Sequence, residues 1–276
     1  VQTEYYQPFT RGSAWFGVLR AGYRGYDADL YSQDNFDLLH TINIQSSALT
    51  AGLGRRLGQA GQFRLGVQYR WLRLSPVLAP PEVEAVAAQG SSFFADLTLD
   101  TLDPLGFPTR GYLLSAAGEY FGFDPESGDS FFTGRADALL ARRVGPWAGH
   151  VYLAGQSSNT GLFPLTLGGF LRFSGAPTSS MIGQDVIFGR AVLAREVGSL
   201  PAALGGAIRV RGSLEAGRAA ASQGLADSPT RYGGALFAVA ETRFGPLYVG
   251  VGNTHGVGTA FYLFLGSVLL PTGLLR

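Results

Sequence analysis

Three histidines, His40, His150 and His255, and a scatter of serines and carboxylates are the residues of this chain with reactive side chains. Nucleophilic ester or peptide hydrolysis needs a serine within reach of a base, and the base held by a third group. The Gly-x-Ser-x-Gly elbow that presents such a serine on a sharp strand-to-helix turn does not occur. Gly12-Ser13 and Gly90-Ser91 lie beside expected strands without that context. His150 shares face parity with Tyr152 and Gln156, as a polar lining residue would, and His255 falls in a loop. Asp96, Asp100 and Glu119 are a thin metal set, and carboxylates on neighbouring strands more often pair with arginines. With no cysteine there is neither a disulfide nor a thiolate ligand. The expectation is that this chain is no enzyme and holds no metal and no cofactor.

The elements that carry these residues are strands. From Gln62 to Trp71 the odd positions are Phe63, Leu65, Val67, Tyr69 and Trp71, and the even ones Gln62, Arg64, Gly66, Gln68 and Arg70. Successive side chains of a strand point to opposite faces, so one face is apolar and the other polar. Phe93, Ala95, Leu97 and Leu99 alternate in the same way with Ser92, Asp96, Thr98 and Asp100. So do Ile208, Val210, Leu214 and Ala216 with Arg209, Arg211, Ser213 and Glu215. The pattern predicts strands over 1–10, 13–31, 37–57, 62–74, 90–102, 111–123, 131–143, 147–157, 185–196, 205–217, 232–244, 247–252 and 258–268. Val83–Ala88 has the spacing for a helical turn, but it sits in a loop.

Connections alternate in length along the chain. Short ones fall near residues 11–12, 58–61, 103–110, 145–146, 198–204 and 245–246, and longer or polar ones near 32–36, 75–89, 124–130, 158–184, 217–231 and 253–257. An up-and-down meander whose two ends differ in this way is the pattern of a membrane barrel, with short turns on one side and long loops on the other. Composition agrees. Charged residues are 15% of 276, against about 25% in soluble domains. Glycines number 40. No apolar run reaches the ~18–20 residues of a membrane helix. Net charge is +1, which gives no nucleic-acid footprint. All the basic residues are arginine, which reads as genome bias. Trp15 and Trp147 sit beside short turns and Trp71 at the far end of its strand. Phe63 and Trp71 are eight residues apart, roughly 19 Å of height at ~45° tilt, as two interfacial girdles require. Residues 1–276 are therefore an all-β domain, a transmembrane antiparallel up-and-down β-barrel whose partner is membrane lipid.

Two motifs carry a family resemblance. Asp103 and Phe107-Pro108-Thr109-Arg110-Gly111 resemble the turn before the ninth strand of the sixteen-stranded BamA-like superfamily of outer-membrane assembly and translocation barrels. Gly168-Gly169-Phe170-Leu171-Arg172-Phe173-Ser174-Gly175 resembles the tip of the long loop that this superfamily folds into its lumen. Three expected strands separate the motifs and five follow the second, as in the family. Ser174 stands where the family has an arginine, and with Glu4-Tyr5-Tyr6-Gln7-Pro8 it makes the chain look most like the barrel of patatin-like phospholipase autotransporters. The resemblance implies a bacterial outer-membrane translocator with a covalently attached upstream passenger and periplasmic domain. An assembly factor, a two-partner secretion transporter and a passive porin or adhesin are the alternatives. It also implies that about thirteen strands are present and the first three of the family barrel are not, leaving 1–10 and 258–268 as edges. The final Leu269–Arg276 segment departs from the family's usual terminal aromatic.

Charges of both signs are expected in the lumen: Arg64, Arg70, Asp96, Asp100, Glu119, Arg135, Asp137, Arg190, Glu196, Arg209, Arg211, Glu215, Glu241 and Arg243. A simple ion-selective pore shows one sign, whereas a mixed interior suits ion pairs packed against a plug. The loop 158–184 carries Phe163, Leu165, Leu167, Phe170, Leu171 and Phe173, too many apolar groups to leave together in water. The expectation is a plug with Gly168–Gly175 against strands 185–217. Arg172 then either supplies the missing charge to Glu215 or Glu241 or reaches solvent.

Overall fold

The computed structural model describes residues 1–32, 37–78, 80, 84–103, 107–122, 130–160, 165–220 and 224–266. Thirteen strands form one antiparallel sheet in which every neighbour in space is the next strand of the wall. They are β1 (Gln2–Pro8), β2 (Trp15–Tyr31), β3 (Leu38–Leu57), β4 (Gly61–Leu78), β5 (Val86–Asp100), β6 (Gly111–Gly122), β7 (Ser130–Val144) and β8 (Trp147–Ser158), then β11 (Asp185–Ser199), β12 (Gly205–Ala220), β13 (Arg231–Thr242), β14 (Gly245–Thr254) and β15 (Gly258–Leu265). Between β8 and β11 the chain leaves the wall and makes a small separate hairpin, β9 (Leu165–Leu167) with β10 (Met181–Gly183). This is the all-β, up-and-down transmembrane barrel wall that the alternation predicts. Among the described residues β1 pairs only β2, and β15 only β14.

Each of the thirteen expected strands coincides with one strand of the wall. The helical turn that the spacing allows at 83–88 is not formed over the described residues 84–88. Val86, Ala87 and Ala88 are extended and pair with Leu74, Arg73 and Leu72, so β4 and β5 rise further than expected. The apolar spacing there was too short to separate a helical turn from strand, and the cross-strand partners decide it. Phe163, Val83 and the Leu269–Arg276 segment lie outside the described residues.

Register fixes which side of the wall each residue faces. Trp15, Arg55, Phe63 and Leu97 lie in one row across β2–β5, and Tyr23, Ser47, Trp71 and Gln89 in another. Between the rows the outward positions are apolar and open, as at Leu19, Leu49, Leu65, Val67 and Phe93. Arg55 lies over the Trp15 ring and Arg195 over Trp147, 5.5 and 5.3 Å to the centroids, placing cations at the short-turn rim. Beyond the Tyr23–Trp71 row polarity reverses. Outward positions become Asp27, Asp29, Thr41 and Asn43, bonded across the strands (Asn43 Nδ2 to Asp27 2.6 Å, Thr41 Oγ1 to Asp29 2.7 Å). The inward positions there are Ala28, Leu30, Ile42, Ile44, Leu72 and Leu74. The apolar band ends at this row.

Candidate functional site

Two kinds of lumen wall follow from the same alternation. Along β1–β6 the inward face is mixed, with Phe16, Val18 and Phe121 buried on it, and its charged side chains pair across strands: Glu4 with Arg20 at 2.5 Å, Arg64 with Asp96 at 2.9 Å, and Arg70 with Glu119 at 3.3 Å. Ser92 and Gln68 also donate to Glu119, at 2.6 and 2.9 Å. Along β7, β8 and β11–β15 the inward face carries apolar groups between its charges, and the loop from β9 to β10 packs on them. Leu165, Leu167, Phe173, Ala176 and Met181 of the loop join Leu139, Tyr152, Ala154, Val186 and Phe188 of the wall in one core. Phe170 and Leu171 join Val192, Phe237, Val239 and Tyr248 in a second. Phe173 and Ser174 have no solvent exposure. At about 25 cal/mol per Å² of apolar surface removed from water, burying a Phe or Leu contributes roughly 1.5–3 kcal/mol, which holds the loop inside.

The tip is fastened to one carboxylate. Glu215 on β12 accepts hydrogen bonds from the amides of Phe173 (2.7 Å) and Ser174 (2.6 Å) with Oε2. Its Oε1 accepts from the hydroxyls of Ser174 and Ser213, both at 2.8 Å. Ser174 Oγ in turn accepts from the Leu171 amide at 2.9 Å, closing the tip on itself. Thr254 Oγ1 donates to the Ser174 carbonyl, and the Gly175 amide donates to the Tyr262 hydroxyl, both at 2.9 Å. So the tip reaches across β12 to β14 and β15 as well as lying against β11 and β12.

This seat demands an unusual backbone. Gly175 has φ +108°, and a Cβ there would stand 2.5 Å from the Gly258 carbonyl oxygen. On the wall, a Cβ at Gly252 would stand 2.4 Å from that of Ser174. Gly168 and Gly169 also have positive φ. So do Leu171 (61°) and Phe173 (80°), a conformation that disfavours side chains by of order 1–3 kcal/mol each and persists only where the surroundings over-determine it.

Arg172 does not make the lumen ion pair that was one of its two expected arrangements. Its Nη2 donates to the Thr166 carbonyl at 2.9 Å inside the loop, and it pairs with neither Glu215 nor Glu241. The alternating twist of the tip turns Phe173 and Ser174 toward Glu215, so amides and a hydroxyl occupy the carboxylate. Glu241 is an ion-pair partner of Arg209, which also bonds Glu196 at 3.2 Å. Ser213, Thr254 and Tyr262 are partners of the tip that no sequence motif marks. For Ser213 there was a signal, since it lies two residues before Glu215 on the same strand face.

The turn motif is a second constellation, at the short-turn end. The Thr109 amide donates to Asp103 Oδ1 at 2.7 Å, the Arg110 amide to the same atom at 3.1 Å, and the Thr109 hydroxyl to Oδ2. Burial raises the Asp103 carboxyl, and these hydrogen bonds outweigh it, holding it below the usual carboxylate range. Gly111 has φ +99°, with space for a Cβ closed by the Thr101 carbonyl at 2.2 Å. Pro108 is buried, Arg110 is exposed, and Phe107 turns inward. Phe107 sits 4.9 Å from the His150 ring, has the Arg211 guanidinium 4.0 Å from its centroid, and shares a core with Leu171. The two motifs thus meet in one apolar cluster through Phe107 and Leu171, 64 residues apart in the chain. His150 is buried there without a serine partner, and His255 is exposed in the β14–β15 turn. Among the described residues no group of three His, Asp or Glu could hold a metal.

No protein-family profile matches the sequence, and no curated protein matches it. Solved structures do. The crystal structure of BamA from Haemophilus ducreyi lacking POTRA domains 1–3 superposes with a TM-score of 0.71 at 12% identity, over 95% of this chain and 60% of that one. CdiB from Escherichia coli matches with a TM-score of 0.59 at 16% identity, over 92% of this chain and 49% of that one. The chain therefore spans about half to three-fifths of the proteins it matches. At such identity the likeness is one of fold: a BamA-like barrel.

Proposed function

We propose that this chain is the barrel of a bacterial outer-membrane protein that assembles other proteins into the membrane or secretes them across it. The observation that carries the reading is the lumen: a loop fastened to Glu215 packs against one side, and a wall crossed by ion pairs lines the other. A passive pore has no use for a buried plug seated at strained residues, whereas a pathway that must be closed at rest does. The chain's own work in this reading is to span the bilayer and to hold or release the loop, with no covalent chemistry.

An attached patatin-type passenger is a second, finer reading. Ser174 in the tip and the Glu4–Pro8 segment favour it, while the solved barrels with this fold favour assembly or secretion. In either case the 1–276 segment would work with upstream periplasmic parts and with strands that complete the wall beside β1 and β15. A Gly-x-Ser-x-Gly domain in the gene upstream would support the passenger.

Planar-bilayer recording tests the plug. Replacing 165–183 by a short Gly-Ser linker should raise the single-channel conductance and lower the thermal stability of the refolded chain. Unchanged conductance and stability would reject the reading. Purified chain should also turn over no ester substrate above background.

A further inference from the structure

Glu215 has a second neighbour of opposite charge, to which it makes no hydrogen bond in this structure. Arg190 on β11 is its direct cross-strand neighbour, and both side chains point into the lumen. Directly opposed positions on one face bring Cβ atoms to ~4.5–5.5 Å, well within reach of a guanidinium and a carboxylate. Arg190 is 5% exposed and donates through Nη1 to the Leu171 carbonyl at 2.8 Å, so it also holds the tip. Its Nε and Nη2 are buried with no hydrogen-bond partner among the described residues. Those two nitrogens form the side edge of the guanidinium, the fork that takes a carboxylate bidentately.

We propose that Arg190 is a second seat for Glu215, so that unplugging the lumen is an exchange of partners at one carboxylate. This rests on the reading of the loop as a releasable plug. With the loop seated, Glu215 holds the Phe173 and Ser174 amides and the Ser174 hydroxyl, while Arg190 holds Leu171. With the loop withdrawn, Glu215 turns to the Arg190 fork and keeps the Ser213 hydroxyl. Withdrawal takes three donors from Glu215, and the Arg190 fork replaces them with a bidentate, charge-assisted pair rather than water alone. The left-handed backbone at Leu171 and Phe173 is relaxed in the same step. The two arrangements make the loop bistable, as a gate requires.

The test uses the refolded full chain with a single thiol. The chain has no cysteine, and Ala176 is 4% exposed in the seated loop, so Ala176→Cys reports withdrawal by its labelling rate with a water-soluble maleimide. Arg190→Gln keeps a donor for Leu171 and removes the fork. It should slow labelling by about tenfold or more, because released Glu215 then has no cation to receive it. Arg190→Lys, with the charge but no fork, should slow it less. Glu215→Gln should label faster than the parent, and adding Arg190→Gln to it should change nothing further, since the exchange no longer exists. Labelling of Arg190→Gln at or above the parent rate, or an equal slowing in the Glu215→Gln background, would overturn the proposal while leaving the plug intact. Labelling of the parent as fast as an exposed thiol would remove the plug reading itself, and the exchange with it.

Discussion

At the scale of single residues the tip is built by what is missing as much as by what is present. Gly175 lies against the Gly258 carbonyl and the Thr254 amide, so Gly175→Ala has no room and no allowed backbone. It should lift the tip from Glu215, which limited proteolysis of the refolded barrel would show as a new cut in 165–183. The turn has its own residue-scale test. The folded-state acidity of Asp103 is greater than in the unfolded chain, so its contribution is fully present above the ordinary carboxylate value of 3.8 and is lost as pH falls through the lowered one. The stability gap between the parent and Asp103→Asn should therefore be constant near neutrality and close below about pH 4, read from denaturant midpoints across pH. An unchanged gap at pH 2–3 would refute the assignment.

At the scale of elements, the sequence carried the wall almost entirely. Alternation over Gln62–Trp71 needs only a two-residue period, and that period places Leu65 and Val67 outward and Gln68 and Arg70 inward as the register requires. The excursion between β8 and β11 was legible as apolar and glycine-marked, and the turn motif as a corner. What lay beyond reach was partner choice. Nothing local says that Arg172 stays within its loop while backbone amides take Glu215, because that follows from left-handed φ at Leu171 and Phe173, residues that rarely adopt it. Nor did spacing reveal that Phe107 and Leu171 share a core. The outward face is testable directly. Val67→Arg, near the middle of the apolar band, should cost about 2–4 kcal/mol in unfolding from lipid vesicles. Asn43→Arg, on the same outer face above the Trp71 row, should cost no more than about 1 kcal/mol. Equal costs would mean that the band lies elsewhere.

For the molecule as a whole, the lumen is divided lengthwise. One half, β7 to β15 with the loop, is a packed interior in which Phe173, Phe188, Phe237 and Tyr248 are almost fully buried. The other half, β1 to β6, has no loop packed on it; beside the buried Phe16 and Phe121 it carries ion pairs between partly exposed side chains, each contributing about 0–1 kcal/mol. The plug and its counter-wall therefore form the rigid body of the barrel, and the opposite staves are the compliant part. Salt should tell packing from pairing: high ionic strength loosens the β1–β6 pairs and the Arg209 pairs on β11–β13, and leaves the apolar cores around the loop as they are.

The reversal of polarity above Tyr23 and Trp71 also sets how deep the barrel can sit. Beyond the aromatic row the outward positions are first Gly25, Gln45 and Arg73, and then the carboxylates Asp27 and Asp29 two and three residue pairs out, a collar that hydrocarbon cannot wet. The greasy height on this side is thus only ~19 Å, against ~30 Å for a typical hydrocarbon core. A thick bilayer must pinch to meet β2–β4, and each ångström of mismatch is paid in lipid deformation. The chain should consequently fold faster and melt higher in short-chain phosphatidylcholine vesicles than in long-chain ones. If Asp27 and Asp29 are replaced by Leu and Val, the collar rises by a turn of the pleat, and that preference should shift toward thicker membranes.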